Sequence, residues 1–492
     1  MSSGLKRLAR DTVVYGLSSI VGRFLNWLLV PMYVRVLASP GEYGIVTNLY
    51  GWTALLLALL TFGMETTYFR FSNRKDEEAP MKVYANSLIF VSILSALFAL
   101  LGFLFLQPIS NFLGYASHPE YVGMLIFIVV LDAITSLPFA RLRCEERAWK
   151  FAGIKLANIA LNILFNIFFL LVCPVIHEHA PQAISWFYIP DYGVGYILVS
   201  NVITSIANVL MLNKELRGFR YSIDMPRMRR MMVYAVPILG ISIAGILNQA
   251  VDKILFPFLF VDKAEATMQL GIYGACFKIA VVMVMFIQAY RYAIEPFIFK
   301  RNRDNDDRHS NAITTLYFTI FSLLIYLGVS FYLDDIFKHL VSPAYYEGLK
   351  VVPIVMAGEF LFGLYFNLSF WFKLNDQTYW GTCFTVIGCI ITIAVIVLFV
   401  PIYGYVACAW ATVACNGIML LLSYFVGRKR YPVPYPLRKM FAYILLAAVL
   451  FVVGMNMPAE WGLWRLLGRT LLLCVYIAIA VKTEGVLQVL RR

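Results

Sequence analysis

The stretch VVYGLSSIVGRFLNWLLVP, residues 13–31, decides the fold of this chain. It is apolar apart from a few small polar side chains and one charge, Arg23. About 20 consecutive apolar residues are enough for an α-helix to cross the hydrocarbon core of a bilayer. A second run of the same character, MVYAVPILGISIAGILNQAVDKILFP, begins at residue 232. We interpret both runs as membrane-spanning helices.

The composition of the whole chain agrees with a membrane protein. Of its 492 residues 61% are hydrophobic and 14% are charged, and the mean hydropathy is +0.75. Soluble domains are about 45–50% apolar and about 25% charged, and disordered chains are poor in hydrophobic residues, so both classes are excluded. The net charge of +13 lies mainly in short connectors between apolar runs, which argues against nucleic-acid binding. No spacing of cysteine or histidine indicates a metal site, and we expect no cofactor.

Similar apolar runs recur along the chain and predict an all-α polytopic membrane protein with about fourteen transmembrane helices. The predicted helices are 12–30, 44–66, 83–106, 121–140, 151–173, 191–213, 231–251, 271–295, 311–332, 351–372, 380–400, 403–426, 440–456 and 464–481. The connectors between them are too short to hold a folded soluble domain.

The distribution of Lys and Arg predicts the orientation of these helices. If the N-terminus is cytoplasmic, 30 of the 41 Lys and Arg residues lie in inner segments and 5 lie in outer segments. Basic residues accumulate in cytoplasmic loops of membrane proteins. We therefore predict that both termini are cytoplasmic.

Two short phrases indicate an internal repeat. GEYGIV at 41–46 follows the first apolar run, and GIYGAC at 271–276 follows the second. Six predicted helices separate the phrases, so the two copies would have the same orientation in the membrane. The predicted organisation is an N-terminal six-helix lobe (1–213), a basic cytoplasmic linker (214–230), a C-terminal six-helix lobe (231–426) and two peripheral helices (427–492). The alternative is a chance similarity between two hydrophobic sequences.

Polar side chains form stripes along several predicted helices. Arg23 and Asn26 share one face of the first helix, and Lys155 and Asn162 lie on a stripe of the fifth. Because polar groups are costly in lipid, the stripes face either one another, as interhelical hydrogen bonds, or a hydrated central cavity. With several stripes in one six-helix copy, we favour the cavity.

Charged and amide side chains within the helices are the candidate functional residues. The predicted substrate-binding residues are Arg23, Asn26, Lys155, Asn162, Lys278 and Arg291. The carboxylates assigned either to ion coupling or to structural ion pairs are Asp132, Asp252, Glu295 and Glu359. Arg291 and Glu295 are four residues apart on one helix and are placed to pair with each other.

A family resemblance is carried by residues 13–46, FGMETTYFRF (62–71), LNQAVDKILF (247–256), GIYGACFKIA (271–280) and the Glu295-Pro296 end of the eighth predicted helix. In these stretches the chain resembles the polysaccharide transporter (Wzx-type flippase) branch of the MATE-like, or MOP, exporter superfamily. The resemblance runs along nearly the whole chain. It implies two six-helix bundles with two peripheral helices, and no enzymatic activity. It also implies export of an undecaprenyl-diphosphate-linked oligosaccharide (an O-antigen, capsule or exopolysaccharide repeat unit) across the bacterial inner membrane.

The resemblance also implies partners and a site. The expected partners are the lipid-linked oligosaccharide, membrane lipids, and a polysaccharide polymerase with glycosyltransferases. Related flippases carry cationic residues in a central cavity, and Arg23 and Lys278 are expected to bind the diphosphate there. The alternative is that Arg23 pairs with Asp132 or Glu359 and only holds the bundle together.

Three other function classes compete with this interpretation. A membrane glycosyltransferase or polymerase needs a large outer catalytic loop, which the short outer segments do not provide. A MATE-type cation-coupled drug antiporter would favour cavity carboxylates, for which Asp132 and Glu359 qualify. A flippase for the peptidoglycan lipid precursor would use the same fold and the same diphosphate chemistry.

Overall fold

A computed structural model describes residues 21–72, 80–217, 223–305 and 308–484 of the chain. Within these ranges the regular structure is helical, and no strand occurs. Among the described residues, thirteen helices are long and apolar enough to cross a membrane, and a shorter helix precedes them. We number them α1 (Val30–Val36), α2 (Pro40–Ser72), α3 (Pro80–Leu104), α4 (Pro119–Cys144), α5 (Ala148–His179), α6 (Gly193–Met211), α7 (Met225–Phe258), α8 (Lys263–Glu295), α9 (Arg308–Phe331), α10 (Pro343–Leu374), α11 (Tyr379–Tyr403), α12 (Tyr405–Arg430), α13 (Leu437–Met455) and α14 (Leu463–Glu484).

The second to fourteenth predicted helices are confirmed, one for one, by α2 to α14. The first predicted helix, 12–30, lies partly outside the described residues; residues 21–27 are helical, and a turn at 28–29 leads into α1. Several helices extend beyond their apolar runs because polar turns continue them, and the helix of α8 runs on to Asn305. α8, for example, begins at Lys263 rather than at 271.

The chain divides into two compact units, Met1–Gly271 and Ile272–Arg492. The first unit contains α1 to α7 and the beginning of α8, and the second contains the rest of α8 and α9 to α14. α7 therefore belongs to the first unit, although its sequence opens the second copy of the predicted repeat. The repeat itself and its lobe boundaries stay predictions.

Glycines allow α2 to approach the end of α7 and the beginning of α8 very closely. A Cβ atom placed on Gly44 would lie 2.7 Å from the carbonyl carbon of Thr267, and one on Gly271 would lie 2.7 Å from that of Pro40. A Cβ atom on Gly51 would lie 3.2 Å from the Ile254 side chain. In membranes, helices approach this closely only where small residues remove the side-chain barrier.

Local breaks in the helices set the direction of the side chains that follow. α2 is interrupted at Phe62 and Gly63, both with positive φ (52° and 68°), and resumes as Met64–Ser72. This second segment carries Glu65 and Arg70 toward α4 and α7. α5 contains a π-helical turn at Phe168–Val172, a feature that locally widens a helix.

α13 and α14 pack onto α9 in the second unit. α13 buries Tyr443, Ala447 and Leu450 on one side, while Phe441 and Leu445 on the other side are exposed. An apolar face exposed in this way suits contact with lipid. This agrees with the peripheral position predicted for the last two helices.

A buried arginine connects α14 to the end of α9. Arg469 is 1% exposed, and its guanidinium donates to the backbone oxygens of Gly454 (3.0 Å) and Phe331 (2.7 Å). The same group forms ion pairs with Asp335 (3.2 Å) and Asp334 (3.7 Å). These bonds satisfy a charge that would otherwise be costly to bury.

Candidate functional site

Amide and tyrosine side chains of the first unit form a hydrogen-bonded chain across four helices. Tyr33 Oη of α1 donates to Asn166 Oδ1 of α5 (3.0 Å), and Asn166 Nδ2 donates to Asn162 Oδ1 one turn earlier (3.2 Å). Asn162 Nδ2 donates to Asn201 Oδ1 of α6 (3.0 Å), and Asn201 Nδ2 donates to Tyr50 Oη of α2 (2.9 Å). The polar stripes predicted on α5 and α6 therefore face each other. Of the two alternatives predicted for the polar stripes, interhelical hydrogen bonds are the one observed for these amides.

Asp132 and Lys155 lie near each other between α4 and α5. Ser205 Oγ of α6 donates to Asp132 Oδ1 at 2.8 Å. The Lys155 ammonium lies 4.1 Å from the ring centroid of Phe139 and interacts electrostatically with the carboxylates of Asp132 and Glu65. The cation near Asp132 is therefore Lys155. The alternative stated from the sequence had placed Arg23 beside Asp132.

The next ion pair joins the ends of α2 and α4 that are predicted to be cytoplasmic. Arg143 Nη2 donates to Glu65 Oε2 at 2.7 Å, and the Arg143 guanidinium lies 5.1 Å from the Phe69 ring centroid. One turn after Glu65, the Arg70 guanidinium lies 4.0 Å from the Tyr234 ring centroid of α7. Cations over aromatic rings are stabilised by the ring quadrupole. This end of the first unit thus holds several cations in fixed positions.

Arg23 and Asn26 have exposed side chains. The helix that carries them packs against α5, since a Cβ atom on Gly22 would lie 2.6 Å from Ile159 Cδ1. Within the described part of the chain, Arg23 has no ion-pair partner. Of the predicted substrate-binding residues, Arg23 and Asn26 are the two most accessible ones.

Asp252 is buried near the end of α7 and forms an ion pair with the adjacent Lys253 (2.9 Å). The backbone oxygen of Lys253 accepts a hydrogen bond from Asn48 Nδ2 of α2 (2.7 Å), and Asn48 Oδ1 accepts one from Tyr115 Oη (2.8 Å). This arrangement fixes α7 against α2. Of the two roles predicted for Asp252, the structural ion pair is the one for which the geometry provides a partner.

Glu295 of the second unit pairs with a cation that the sequence analysis did not consider. Lys373 Nζ at the end of α10 lies 3.1 Å from Glu295 Oε1. The expected pairing of Glu295 with Arg291 is wrong: the Arg291 guanidinium instead lies 4.6 Å from the Phe366 ring centroid. Lys373 Nζ lies at the same distance from that centroid. Two cations therefore lie near the Phe366 ring, and of the two it is Lys373 that forms an ion pair with Glu295.

Lys278 of α8 and Glu359 of α10 are half-buried within membrane-spanning helices, and both interact with other groups. Beside Glu359, Asn416 Nδ2 of α12 donates to the backbone oxygen of Gly358 (3.0 Å). Charged residues at such positions are rare in membrane proteins and commonly functional. Both residues stay candidates.

The same ion-pair arrangement occurs in each unit. In the first unit, Glu65 of α2 pairs with Arg143 of α4; in the second, Glu295 of α8 pairs with Lys373 of α10. α8 and α10 are the predicted repeat counterparts of α2 and α4. In both cases the cation also lies near a phenylalanine ring.

Two kinds of functional candidate were missed by sequence reasoning. Tyr33 and Tyr50 complete the amide chain, but a tyrosine in an apolar run looks like lipid-facing bulk. Lys373 was assigned only to a short connector, although its ammonium donates to Glu295 of α8 at 3.1 Å. Comparing the inner ends of α8 and α10 as repeat partners of α2 and α4 would have suggested the pair.

Among the described residues no group of three or more His, Cys, Asp or Glu side chains is placed to hold a metal ion.

Comparison with known proteins defines the family. Residues 8–302, more than half of the chain, match the family described as polysaccharide biosynthesis protein. The chain belongs to this family. The match confirms the resemblance stated from the sequence. The comparison with curated proteins gave no match.

Solved structures with the same fold include membrane flippases and transporters. The lipid II flippase MurJ in an inward closed conformation is 12% identical with a TM-score of 0.71, covering 96% of this chain and 99% of that one. A multidrug resistance MATE family transporter of the MOP superfamily is similar in its inward-facing conformation (12% identity, TM-score 0.65, covering 86% and 98%). Its outward-facing conformation matches with 13% identity and a TM-score of 0.60, covering 87% and 98%. The all-α polytopic fold predicted from the sequence is therefore confirmed.

Proposed function

We propose that this protein is a flippase that moves an undecaprenyl-diphosphate-linked oligosaccharide across the bacterial inner membrane by alternating access. Membership in a polysaccharide biosynthesis family supports a glycan substrate. The fold shared with membrane flippases and transporters supports movement of that substrate rather than its chemical conversion. Such a substrate requires cations for its diphosphate and hydrogen-bonding groups for its sugars.

The exposure of Arg23 is the observation that carries the proposal. Arg23 lies in the first predicted membrane span, yet its side chain is exposed and has no ion-pair partner among the described residues. An arginine at membrane depth faces a water-filled cavity or a binding partner, because lipid cannot solvate it. Its planar guanidinium donates two parallel hydrogen bonds to phosphate oxygens. Arg23 is therefore suited to bind the diphosphate.

Neighbouring groups extend this site within each unit. Asn26, one turn after Arg23, is also exposed and offers an amide to sugar hydroxyls. In the second unit Arg291 has an aromatic neighbour and, among the described residues, no carboxylate partner. We propose Lys278 and Arg291 as the substrate-binding cations of the second unit.

The state of the carboxylates favours an anionic substrate over a cationic drug. Asp132 accepts a hydrogen bond from Ser205, Asp252 pairs with Lys253, and Glu295 pairs with Lys373. A cationic substrate needs carboxylates that are available to it, whereas these are already engaged. A peptidoglycan lipid precursor carries the same diphosphate, so only the glycan distinguishes that alternative.

Transport by purified protein in proteoliposomes tests the proposal directly. The probe is an undecaprenyl-diphosphate oligosaccharide with a fluorescent sugar, and the readout is its accessibility to a quencher outside the vesicle. We expect Arg23→Glu to abolish translocation and Arg23→Lys to retain part of it, because lysine keeps the charge but not the fork. Arg35→Glu, an exposed arginine in α1, is the matched control and is expected to leave the rate unchanged.

Three outcomes would contradict the proposal. Translocation of a cationic dye, but not of the lipid-linked oligosaccharide, would favour the drug antiporter. Preferential translocation of the peptidoglycan precursor over the oligosaccharide in competition would favour that flippase. Recovery of Arg23→Glu by Asp132→Lys or Glu359→Lys would show that Arg23 belongs to a structural ion pair and not to the diphosphate site.

A further inference from the structure

The second unit contains a cavity that the proposed transport function does not use. Its volume is about 790 Å³, within the range of about 300–1,000 Å³ typical of small-molecule sites. It lies among the last turns of α9, the first turns of α10 and α12, and the last turn of α13. The charge distribution of the sequence predicts this end of the helices to be on the outer side of the membrane.

The cavity is charged at its rim and apolar in its depth. Lys338 and Lys350 lie at the rim, and Ile354 and Ala357 line α10 farther along the same face. From Lys350 to Ala357 the helix advances about 10 Å at 1.5 Å per residue. Phe451 of α13 completes the apolar part. This polarity gradient matches an amphiphile with a polar head group and an apolar chain.

The outer surface of the unit is accessible from this cavity. Trp410 of α12 lines it and is 55% exposed. Tryptophan and tyrosine are enriched at the membrane–water interface, where an apolar ring and a polar edge are both satisfied. Tyr326 and Tyr346 also line the cavity. A membrane lipid, which reaches the site laterally, is therefore the class of ligand that fits.

The rim has one cation without a carboxylate. Lys350 Nζ lies 3.1 Å from Glu347 Oε1, and Asp334 forms an ion pair with Arg469 at 3.7 Å. Lys338 is half-buried and has no ion-pair partner among the described residues. Glu347 and Asp334, the two carboxylates at the rim, already form ion pairs with protein cations. They therefore offer no free carboxylate to the ammonium group of a lipid. A phosphate with one negative charge, in contrast, would balance Lys338.

We propose that this cavity binds one phospholipid with a single net negative charge, its phosphate on Lys338 and its acyl chain along Ile354, Ala357 and Phe451. The bound lipid would fill the space between α13 and the helices α9, α10 and α12. A membrane-protein pocket with a basic rim is a recurring way to bind anionic head groups. The inference rests on the second unit alone and is independent of the transported substrate.

Lipid retention by the purified full-length protein tests this site. The protein is incubated in detergent with phosphatidylglycerol or phosphatidylethanolamine of the same acyl composition, and bound lipid is counted by native mass spectrometry. We expect at least tenfold higher retention of phosphatidylglycerol. Lys338→Gln should remove this preference, whereas Lys214→Gln, an exposed lysine of the first unit, should keep it.

A second variant addresses the apolar part of the cavity. Ala357→Trp fills the depth and should reduce retention of both lipids, whereas Val397→Trp on the exposed side of α11 should not. Equal retention of the two lipids by the wild-type protein would overturn the proposal, as would unchanged retention in both Lys338→Gln and Ala357→Trp. Displacement of phosphatidylglycerol by equimolar undecaprenyl diphosphate would assign the cavity to the transport substrate instead. Gel filtration shows whether each variant is folded.

Discussion

Replacement of Gly44 by alanine tests the close crossing of α2 and α8. The new Cβ atom would lie 2.7 Å from the carbonyl carbon of Thr267 and 3.0 Å from the backbone nitrogen of Gly271. Ordinary van der Waals contact begins at 3.4 Å. The Cβ atom would also overlap the carbonyl oxygen of Thr267, so the two backbones have to separate by more than 0.7 Å, the difference between 3.4 and 2.7 Å. Gly271→Ala meets the carbonyl group of Pro40 in the same way.

The expected magnitude follows from two opposing effects. An extra methyl group forced into a packed contact costs about 1–3 kcal/mol. Alanine also favours the helix by about 0.5–1 kcal/mol relative to glycine, and a glycine with open space around it shows only this gain. Gly240 and Gly245 of α7 are such positions, since a Cβ atom on either would meet nothing within 4 Å. Crowded and open glycines should thus respond with opposite sign.

Thermal unfolding of the purified variants in one detergent is the measurement. We expect Gly44→Ala and Gly271→Ala to unfold at lower temperature than the wild type, and Gly240→Ala and Gly245→Ala at the same or a higher temperature. Translocation in proteoliposomes should decrease in the first pair only, because the crossing no longer closes. An unfolding temperature of Gly44→Ala equal to that of Gly240→Ala would refute the reasoning, since it would show that the backbones are not in contact.

Three further predictions concern charges. Asp132→Lys and Lys155→Asp should each lower the yield of folded protein, because each variant places two like charges near each other between α4 and α5. The double variant should restore the attraction and the yield; a double variant as poor as the single ones would contradict this interaction. Arg469→Met should reduce stability by about 3–5 kcal/mol, measured as chemical unfolding, because it removes the cation paired with Asp334 and the donors to the Gly454 and Phe331 oxygens, while Asp335 keeps Arg465 (2.6 Å); unchanged unfolding would show that these contacts of Arg469 contribute nothing. In spheroplasts, an impermeant maleimide should label Trp186→Cys but not Lys214→Cys; the reverse labelling would overturn the predicted orientation.

The membrane-spanning helices could be predicted because their signal is local. An apolar run of bilayer length needs no information about its neighbours, and α2 to α14 were found in this way. Helix starts were predicted less well, since polar turns such as the one at Lys263 continue a helix without contributing to the apolar run. The break at Phe62 in α2 was not predicted either: Gly63 permits a positive φ, but a single glycine within an apolar run does not show that the helix breaks there.

Side-chain partners depend on contacts between helices, and the sequence predicted them unevenly. The stripes that contain Asn162 and Asn201 could be predicted, because the helical period of 3.6 residues places the polar residues of each stripe on one face of its helix. The hydrogen bond between Asn162 and Asn201 could not be predicted, because it depends on the packing of α5 on α6. Pairing of Glu295 with Arg291 followed from a local rule worth only about 0.2–0.5 kcal/mol. The contact with Lys373 of another helix prevails over this weak preference. Local rules therefore predict faces better than partners.

The cations in the membrane-spanning helices differ in whether a carboxylate lies beside them, and we propose that this difference separates substrate-binding cations from structural ones. Lys373 forms an ion pair with Glu295 (3.1 Å), and Lys155 interacts electrostatically with Asp132, so part of the desolvation cost of these cations is offset within the protein. Arg23 and Arg291 have no carboxylate partner among the described residues, so water or an anion has to solvate them. A cation held in a pair would lose that partner on binding a diphosphate, whereas an unpaired one would not. Binding energy should therefore be concentrated on Arg23 and Arg291, and Lys155 should contribute to the fold more than to affinity.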